Sequence, residues 1–348
     1  MKKILSIASH RQNYSVHFVQ NQNELLEELA RLKNVVTIID RNIAILYPEF
    51  TKKLSGAIYE MDALEQNKSL SGLEDILNFF QSANAERKTT VIVIGGGILQ
   101  DTGAFAAHIF YRGLNVVFVP TTLLSMCDSC IGGKCGVNFN GYKNQLGAIH
   151  PPVKVLIWPG FLGSLSPVDK RSGCGELLKY SLLNGKVSYE NFKQVLVNES
   201  LEDHWLDFIY EGLVTKKKIV EQDEFETGTR RLLNFGHTVG HAIERAMDHD
   251  IPHGIAVAKG IDLENYIAWR LGLLDDEIYH DVHMLIEKYF PCSLNANVTA
   301  EILLENTQQD KKIQDGKLNW VLMEDFGKFR IESIVADDAL VDMMKEGL

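Results

Sequence analysis

Hydrophobic positions in the first half of the chain follow two alternating patterns. Short runs of β-branched residues indicate strands, and longer stretches with a helical period lie between them. Strands are predicted at 35–40, 90–94 and 116–119, and helices at 73–83 and 101–110. Strands that alternate with helices are typical of a parallel sheet with crossover helices. The first half is therefore predicted to be an α/β domain.

The second half of the chain has long helical periodicity instead. Helices are predicted at 169–183, 189–197, 206–222, 236–247 and 255–271, and a late strand or hairpin at 318–323. Turn residues between Pro159 and Pro167 mark the change of pattern. We therefore expect two domains, residues 1–163 and residues 164–348, of which the second is mostly α-helical.

Composition narrows the choice of partners. With 348 residues, 45% of them hydrophobic, the chain can bury the cores of one large or two ordinary domains. Its net charge of -11 argues against nucleic acid or an anionic membrane as partner, because both require a basic face. A small anionic substrate held by local cations stays possible. The amino terminus lacks an apolar stretch, which predicts a cytoplasmic protein without a signal peptide.

The five cysteines are an odd number, and four lie in segments that other features mark as active-site walls. Reduced thiols are therefore expected rather than a disulfide framework. Cys127 and Cys130 form a C-x-x-C, but no second pair completes a zinc site. We interpret them as small apolar side chains in a buried loop.

A glycine turn, Gly95-Gly96-Gly97, separates the strand at 90–94 from a helix that begins near Asp101. Glycines let the backbone approach a phosphate, and the first helical turn offers unpaired N–H donors. An ordinary βα turn fits equally well, because the G-x-G-x-x-G spacing is not met. Asp40 and Asn42, which follow the first predicted strand, are candidates to bind an adenosine ribose.

Three histidines, His237, His241 and His253, lie in a glycine-rich stretch of the second half. His237 and His241, at i and i+4, share one face of a helix. Glu176 lies on an otherwise apolar helix, where an unpaired charge is costly, and is the candidate carboxylate. Two histidines and one carboxylate would leave a metal with positions open for substrate. Spacing leaves open which two histidines bind, and satisfied core or surface histidines are the alternative.

Two sets of polar residues are suited to oxyanions. Between 128 and 144, exposed backbone N–H groups accompany Lys134 and Lys143, and Arg112 adds a planar donor.

The second basic set lies just ahead of His237. Lys216, Arg230 and Asn234 belong to it, and at helical spacing Arg230, Asn234 and His237 would point at one spot. At least two of the lysines at 216–218 are expected to be a solvated face instead.

Together these residues resemble the dehydroquinate synthase family, within the wider sugar-phosphate cyclases, from about Glu65 to Met323. The family's motifs are G-G-G-x-x-x-D at 95–101, P-T-T-L-L at 120–124, D-S-x-x-G-G-K-x-G-x-N at 128–138, K-N at 143–144, E-x-x-K at 176–179, K-x-x-x-V-x-x-D-E-x-E at 216–226, L-N-x-G-H-T-x-G-H-A-I-E at 233–244 and D-K-K at 310–312.

The resemblance implies a Rossmann-like NAD-binding domain followed by a helical metal-binding domain. It also implies a homodimer and either zinc or cobalt. The implied metal ligands are Glu176, His237 and His253. The implied NAD-binding residues, with Asn42 added from its position, are Asp40, Glu65, Lys68, Gly95, Gly96, Gly97, Asp101, Thr121 and Thr122.

The resemblance also assigns the substrate site. The implied phosphate-binding residues are Arg112, Lys134, Asn144, Asn234 and Lys311 or Lys312. Around the substrate carboxylate it implies Lys143, Lys216 and Arg230. The implied catalytic residues are Asp128, Lys179, Glu226 and His241, of which Asp128 and Lys179 would contact ring hydroxyls and His241 the substrate.

The chain departs from the family pattern at several positions. Ile255 stands where a glutamate usually follows His253-Gly254, so an expected carboxylate beside the metal is missing. Gln100 and Thr102 replace small or apolar residues around Asp101. Cys130 replaces serine or alanine, and Cys135 replaces threonine. These departures bear on the identity of the substrate more than on the chemistry.

The implied reaction converts 3-deoxy-arabino-heptulosonate 7-phosphate to 3-dehydroquinate and phosphate, with NAD reduced and reoxidised in each cycle. Lys216 with Arg230 favours this substrate, because a neutral sugar phosphate has no carboxylate for them to bind. The alternatives are a cyclase for sedoheptulose 7-phosphate or an amino-sugar analogue, an iron-type polyol dehydrogenase, and a non-catalytic binding paralogue.

Overall fold

The computed structural model describes residues 3–140, 142–198, 201–248, 250–295, 298–310 and 317–348. The chain divides into two compact units. The first contains Met1–Ser166 and Lys216–Glu224, and the second contains Pro167–Thr215 and Phe225–Leu348. No helix in the described ranges is long and apolar enough to cross a membrane.

The first unit is an α/β structure, as the alternating pattern predicts. Its strands are β1 (Ile4–Ile7), β2 (Tyr14–Phe18), β3 (Val35–Asp40), β4 (Ala57–Met61), β5 (Thr90–Gly95), β6 (Asn115–Pro120), β7 (Lys134–Phe139), β8 (Tyr142–Ile149) and β9 (Lys154–Ile157). Its helices are α1 (Gln22–Ala30), α2 (Arg41–Leu46), α3 (Pro48–Thr51), α4 (Leu70–Ser82) and α5 (Gly97–Ile109).

Seven of these strands form one sheet in the order β1-β2-β9-β6-β5-β3-β4. All neighbours pair in parallel except β1 with β2, while β7 and β8 form a separate antiparallel hairpin. The predicted strands are present as β3, β5 and β6, and every residue of β3 is buried. Burial on both faces explains their continuous hydrophobic runs.

The sheet has a topological switch point between β3 and β5. From β3 the chain goes outward to β4, and it then returns to the other side of β3 to form β5. Ile39 of β3 pairs with Ile94 of β5, so Asp40 and Gly95 follow side by side at the carboxyl edge. Ligands of open α/β sheets bind in the crevice outside such a point.

Helix α5 begins at Gly97, earlier than the predicted start near Asp101. Gly96 has an extended backbone and caps the helix without a side-chain hydrogen bond. A Cβ at Gly95 would lie 2.7 Å from Cδ2 of Leu99, so the turn packs directly against the first helical turn. The glycines therefore lead straight into the helix instead of forming a longer loop before it.

Residues 216–224 belong to the first unit, although the predicted boundary placed them in the second domain. Their acidic side chains are hydrogen-bonded by the amino-terminal segment. Glu221 accepts from the backbone N–H of Ala8 at 2.7 Å. Glu224 accepts from Oγ of Ser9 at 2.5 Å and from the backbone N–H of His10 at 2.7 Å. Contacts this distant in sequence leave no trace in local periodicity.

The second unit is mostly helical, as predicted. Its elements are α6 (Pro167–Asn184), α7 (Lys186–Val197), α8 (Leu201–Gln222, whose last turns belong to the first unit), α9 (His237–Ala246), α10 (His253–Arg270), α11 (Asp276–Tyr289), α12 (Ala300–Asp310), β10 (Lys317–Asp325), β11 (Lys328–Val335) and α13 (Asp338–Gly347). The late hydrophobic run lies in β10, which pairs with β11 as a hairpin. All five cysteines, each within the described ranges, are free thiols, and Cys127 and Cys130 are fully buried.

Candidate functional site

Helices α6 and α10 of the second unit approach each other through glycines. A Cβ at Gly175 would lie 1.9 Å from the carbonyl oxygen of Gly254, and a Cβ at Gly254 would lie 1.7 Å from that of Ser172. No larger residue fits either position without moving backbone. Since Glu176 follows Gly175 and His253 precedes Gly254, this crossing brings the two side chains together.

Helix α9 meets α10 through a second glycine contact. Gly236 has a φ of +76°, in the left-handed region, and a Cβ at Gly260 would lie 1.9 Å from its carbonyl oxygen. Helix α9 therefore starts only at His237, after a 3₁₀ turn at Thr229–Asn234. Arg230 and Asn234 are therefore not on one continuous helix with His237, as the predicted helical spacing assumed, because Gly236 separates the 3₁₀ turn from α9.

Glu176, His237 and His253 come together as a cluster in which each offers a ligand atom within 4.8 Å of the others. Nε2 of His237 lies 3.3 Å from Oε1 of Glu176, and Nε2 of His253 lies 3.2 Å from the same oxygen. Glu176 is completely buried. Although these distances are those of ion pairs, neither carboxylate oxygen accepts a well-oriented hydrogen bond from a described residue.

The outer nitrogens of the two imidazoles have partners of their own. Nδ1 of His237 donates to the carbonyl oxygen of Phe235 at 3.1 Å, since a carbonyl only accepts. Nδ1 of His253 lies 3.3 Å from Oε2 of Glu244. When both rings are neutral, these contacts leave the lone pair on Nε2, the nitrogen that faces Glu176. Two lone pairs and a carboxylate oxygen fit a divalent cation such as zinc or cobalt between them.

Glu244 places a carboxylate beside His253, where Ile255 offers none. Ile255 is buried, whereas Glu244, at the end of the A-I-E motif, reaches the imidazole of His253. Sequence reasoning missed this role because it looked for the acid next to His253. The sequence did contain a signal for Glu244, which is an acid one helical turn after His241.

His241 lies beside the same cluster. Its ring centre is 5.4 Å from that of His237 and 5.9 Å from that of His253. With Glu244 and His253 it forms a second group whose ligand atoms are within 4.8 Å of one another. The two groups use different nitrogens of His253. Its Nε2 faces Glu176 of the first group, and its Nδ1 faces Glu244 of the second.

Charges within the cluster set its protonation. Burial works against the charged form of Glu176, but the ammonium of Lys179 and then His237 hold the pKa of the carboxyl well below its usual range. Burial, aided by Lys179, lowers the pKa of His237 to about 4. Burial opposes protonation of His253 too, but Glu244 and Glu176 raise its pKa to about 10. His237 is therefore neutral at pH 7, and protons compete with a cation mainly at His253.

Asn234 and Glu226 form a separate pair in the second unit. Nδ2 of Asn234 donates to Oε1 of Glu226 at 2.7 Å, and Glu226 has a left-handed backbone with φ of +58°. Arg230, in the same 3₁₀ turn as Asn234, is buried. Lys311 and Lys312 lie outside the described residues.

In the first unit, several of the predicted cofactor residues lie at the carboxyl edge of the sheet, next to the switch point. Asp40 accepts from the N–H of Asn42 at 2.9 Å and caps α2, and burial raises its pKa. Thr121 follows β6 and donates its N–H to the carbonyl of Gly95 at 3.2 Å. Thr122 is next in sequence, and its Cγ2 lies 3.1 Å from where a Cβ of Gly96 would be.

Two polar pairs link the segment at 65–68 to α5 and to the β7–β8 hairpin. Nζ of Lys68 lies 2.5 Å from Oδ2 of Asp101, whose pKa is raised by burial despite this partner. Nδ2 of Asn138 donates to Glu65 at 2.7 Å, and its Oδ1 accepts from the N–H of Asn144 at 3.0 Å.

The basic residues of the first unit differ in burial. Lys134 and Asn144 are exposed on the hairpin and Lys143 is half-buried. Arg112 is exposed on a left-handed backbone with φ of +67°.

Lys216 is the buried member of the lysine run, and it donates to the carbonyl oxygen of Asp128 at 2.7 Å and to its carboxylate at 2.9 Å. Lys217 pairs with Glu221, and Lys218 is exposed, as expected of a solvated face.

The two units thus define a class of protein. One unit is a mostly parallel α/β structure with a switch point of the kind at which such sheets bind dinucleotides, and the other is a helical structure with a buried carboxylate–histidine centre.

Comparison with known proteins narrows this class. Residues 58–172 match the family model described as 3-dehydroquinate synthase N-terminal, and residues 173–313 match 3-dehydroquinate synthase C-terminal. A 3-dehydroquinate synthase from Streptococcus pyogenes serotype M6 is 34% identical over 97% of this chain and 97% of its own length.

Solved structures of other cyclases have the same fold. A 2-deoxy-scyllo-inosose synthase, 23% identical, covers 99% of this chain and 100% of its own with a TM-score of 0.87. The 2-epi-5-epi-valiolone synthase of Streptomyces hygroscopicus, 25% identical, covers 97% of this chain and 98% of its own with a TM-score of 0.84. The chain belongs to the 3-dehydroquinate synthase family and is an enzyme of the sugar-phosphate cyclase type.

Proposed function

We propose that the protein is a 3-dehydroquinate synthase, which converts 3-deoxy-arabino-heptulosonate 7-phosphate to 3-dehydroquinate and phosphate. The observation that carries the proposal is the Glu176–His237–His253 cluster in a chain 34% identical, over 97% of its length, to a protein of that name. The solved cyclases for other products are less similar in sequence, at 23% and 25% identity.

We further propose that the enzyme uses NAD and a divalent metal. The solved 2-deoxy-scyllo-inosose synthase is described with NAD+ and Co2+, and the valiolone synthase with NAD+ and Zn2+. Glu176, His237 and His253 would hold the metal, and the glycine turn at 95–97 would approach the NAD pyrophosphate. When bound, the metal would polarise a substrate hydroxyl and NAD would accept and later return its hydride.

The chain's own residues would bind the two anionic ends of the substrate. Lys134, Asn144 and Arg112 have exposed donors suited to a phosphate that leaves as a dianion. Lys216 would bind the carboxylate. Its ammonium has three N–H donors, and Asp128 accepts two of them at 2.7 and 2.9 Å, which leaves the third for a substrate oxygen.

In the metal centre, Lys179 would set the charge of the neighbouring ligands. Its ammonium is buried against Glu176, so it keeps that carboxylate ionised and leaves His237 neutral. In the first unit, Asp128, which accepts two hydrogen bonds from Lys216, would orient a ring hydroxyl. These groups are fixed before substrate binds, so little reorganisation is needed during the reaction.

Phosphate release from two substrates tests the proposal. Purified enzyme with NAD and Zn²⁺ is expected to release phosphate from the heptulosonate phosphate and not from sedoheptulose 7-phosphate, which lacks the carboxylate. Lys216→Met should raise KM for the first substrate. Turnover of sedoheptulose 7-phosphate alone would contradict the proposed substrate and favour the valiolone synthase type of cyclase.

A further inference from the structure

Glu264 is a completely buried carboxylate on α10 that faces the first turn of α9. Its Oε2 accepts from the backbone N–H of Gly236 at 2.8 Å, and its Oε1 accepts from that of Val239 at 3.4 Å. The two oxygens thus satisfy donors on both sides of His237. Gly236, which caps the helix, has no side chain that could do so.

A carboxylate here has an electrostatic effect on the cluster. His237 is the first residue of α9, and the amino terminus of a helix has a partial positive charge of about half a unit. A divalent cation bound by His237 would lie beside that charge, which is unfavourable. The negative charge of Glu264, on the inner side of the same helical turn, offsets it.

Glycines make this arrangement possible. The contact of Gly260 with the carbonyl of Gly236 holds the start of α9 against α10, and Glu264 lies one turn further along α10. The position of His237 therefore depends on the hydrogen bonds of Glu264 as well as on the left-handed Gly236.

We propose that Glu264 is a positioning residue of the metal centre, which fixes the amino terminus of α9 and strengthens the binding of a divalent cation by Glu176, His237 and His253. The inference rests on the metal site described under Proposed function, but it concerns a residue outside the ligand set. Its effect is on affinity for the metal rather than on any contact with substrate.

Zn²⁺ affinity, measured by competition with a chromophoric chelator, tests this role without any activity assay. Glu264→Gln keeps a carbonyl acceptor but removes the charge, and we expect it to weaken Zn²⁺ binding about 10- to 100-fold, as changes around metal ligands do. Glu264→Asp, which keeps the charge, should recover part of the loss.

Asp262→Asn is the matched control. Asp262 is a buried carboxylate on the same helix, but its partner is Nδ1 of His283 at 2.9 Å, away from α9. We expect this variant to bind Zn²⁺ as the wild type does. Thermal unfolding of the metal-free proteins shows whether each variant folds.

The outcomes separate the two proposals. Unchanged Zn²⁺ affinity in Glu264→Gln, or an equal loss in Asp262→Asn, would overturn the role of Glu264 while leaving the metal site intact. A wild-type protein that binds no Zn²⁺ would overturn the metal site itself, and the role of Glu264 with it.

Discussion

Nε2 of His253 lies 3.2 Å from Oε1 of Glu176, while Nδ1 of the same ring lies 3.3 Å from Oε2 of Glu244. One imidazole thus connects the proposed metal ligand on α6 with a carboxylate on α9. We expect Glu244→Gln to weaken Zn²⁺ binding about 10- to 100-fold, because the amide orients the ring less strongly. Equilibrium dialysis with Zn²⁺ measures this, and a wild-type affinity would show that Glu244 does not support His253.

Gly254 allows α6 and α10 to approach. Because a Cβ there would lie 1.7 Å from the carbonyl oxygen of Ser172, Gly254→Ala is expected to destabilise the protein by about 3 kcal/mol. Bound metal should fall as well, since Glu176 and His253 would move apart. Urea unfolding and metal analysis check both.

Gly163→Ala is the control for this change. A Cβ at Gly163 would have no heavy atom within 4 Å, and its φ is not positive, so stability should change by less than about 0.5 kcal/mol. Equal stabilities of the two alanine variants would argue against the close helix crossing.

Lys68 and Asp101 form a mostly buried ion pair in the first unit. Lys68→Met should cost about 2 kcal/mol of unfolding free energy, less than the roughly 3–5 kcal/mol of a fully enclosed pair, because Asp101 keeps 23% of its side chain exposed. Lys52→Met breaks the exposed pair with Glu49 and should cost less than about 1 kcal/mol. Urea unfolding compares the two, and equal losses would contradict the account.

His150 should make stability depend on pH. Nε2 of its buried ring donates to the carbonyl of Leu114 at 2.9 Å, and burial lowers its pKa from 6.5 to about 4. As the pH falls, the unfolded chain takes up the proton before the folded protein does. The stability that the neutral His150 contributes is therefore complete above pH 6.5 and is lost as the pH falls towards 4. The unfolding free energy lost over this range is about 3 kcal/mol.

Replacing His150 tests the direction of this pH dependence. In His150→Gln the unfolding free energy should fall less steeply between pH 6.5 and 4 than in the wild type, as measured by urea unfolding across that range. The amide can still donate to Leu114. Parallel curves for the two proteins would show that His150 does not titrate as described.

Residue patterns predicted the fold class because long, regular segments determine it. The β-branched runs of β3, β5 and β6 and the helices from α6 to α10 are each readable from periodicity. The strands β1, β2 and β9 were not, because they are short, and neither were β7 and β8, which have glycines and polar residues in place of a β-branched run.

The candidate site was predictable as a set of residues but not as an arrangement. The resemblance to the family implied Glu176, His237 and His253, where spacing alone left the choice of histidines open, and the structure brings the three together. The left-handed Gly236, which separates Asn234 from His237, has no signature in spacing. Glu264 could have been found, because it is an acid in the apolar run of α10, the same signal that singled out Glu176.

Simultaneous measurement of phosphate release and NADH absorbance tests the central claim most directly. With the heptulosonate phosphate in large excess over NAD, we predict many phosphates released per NAD, 3-dehydroquinate formed in equal amount, and no accumulation of NADH. Release that stops at one phosphate per NAD, or NADH that accumulates without phosphate, would contradict a dehydroquinate synthase and indicate a dehydrogenase.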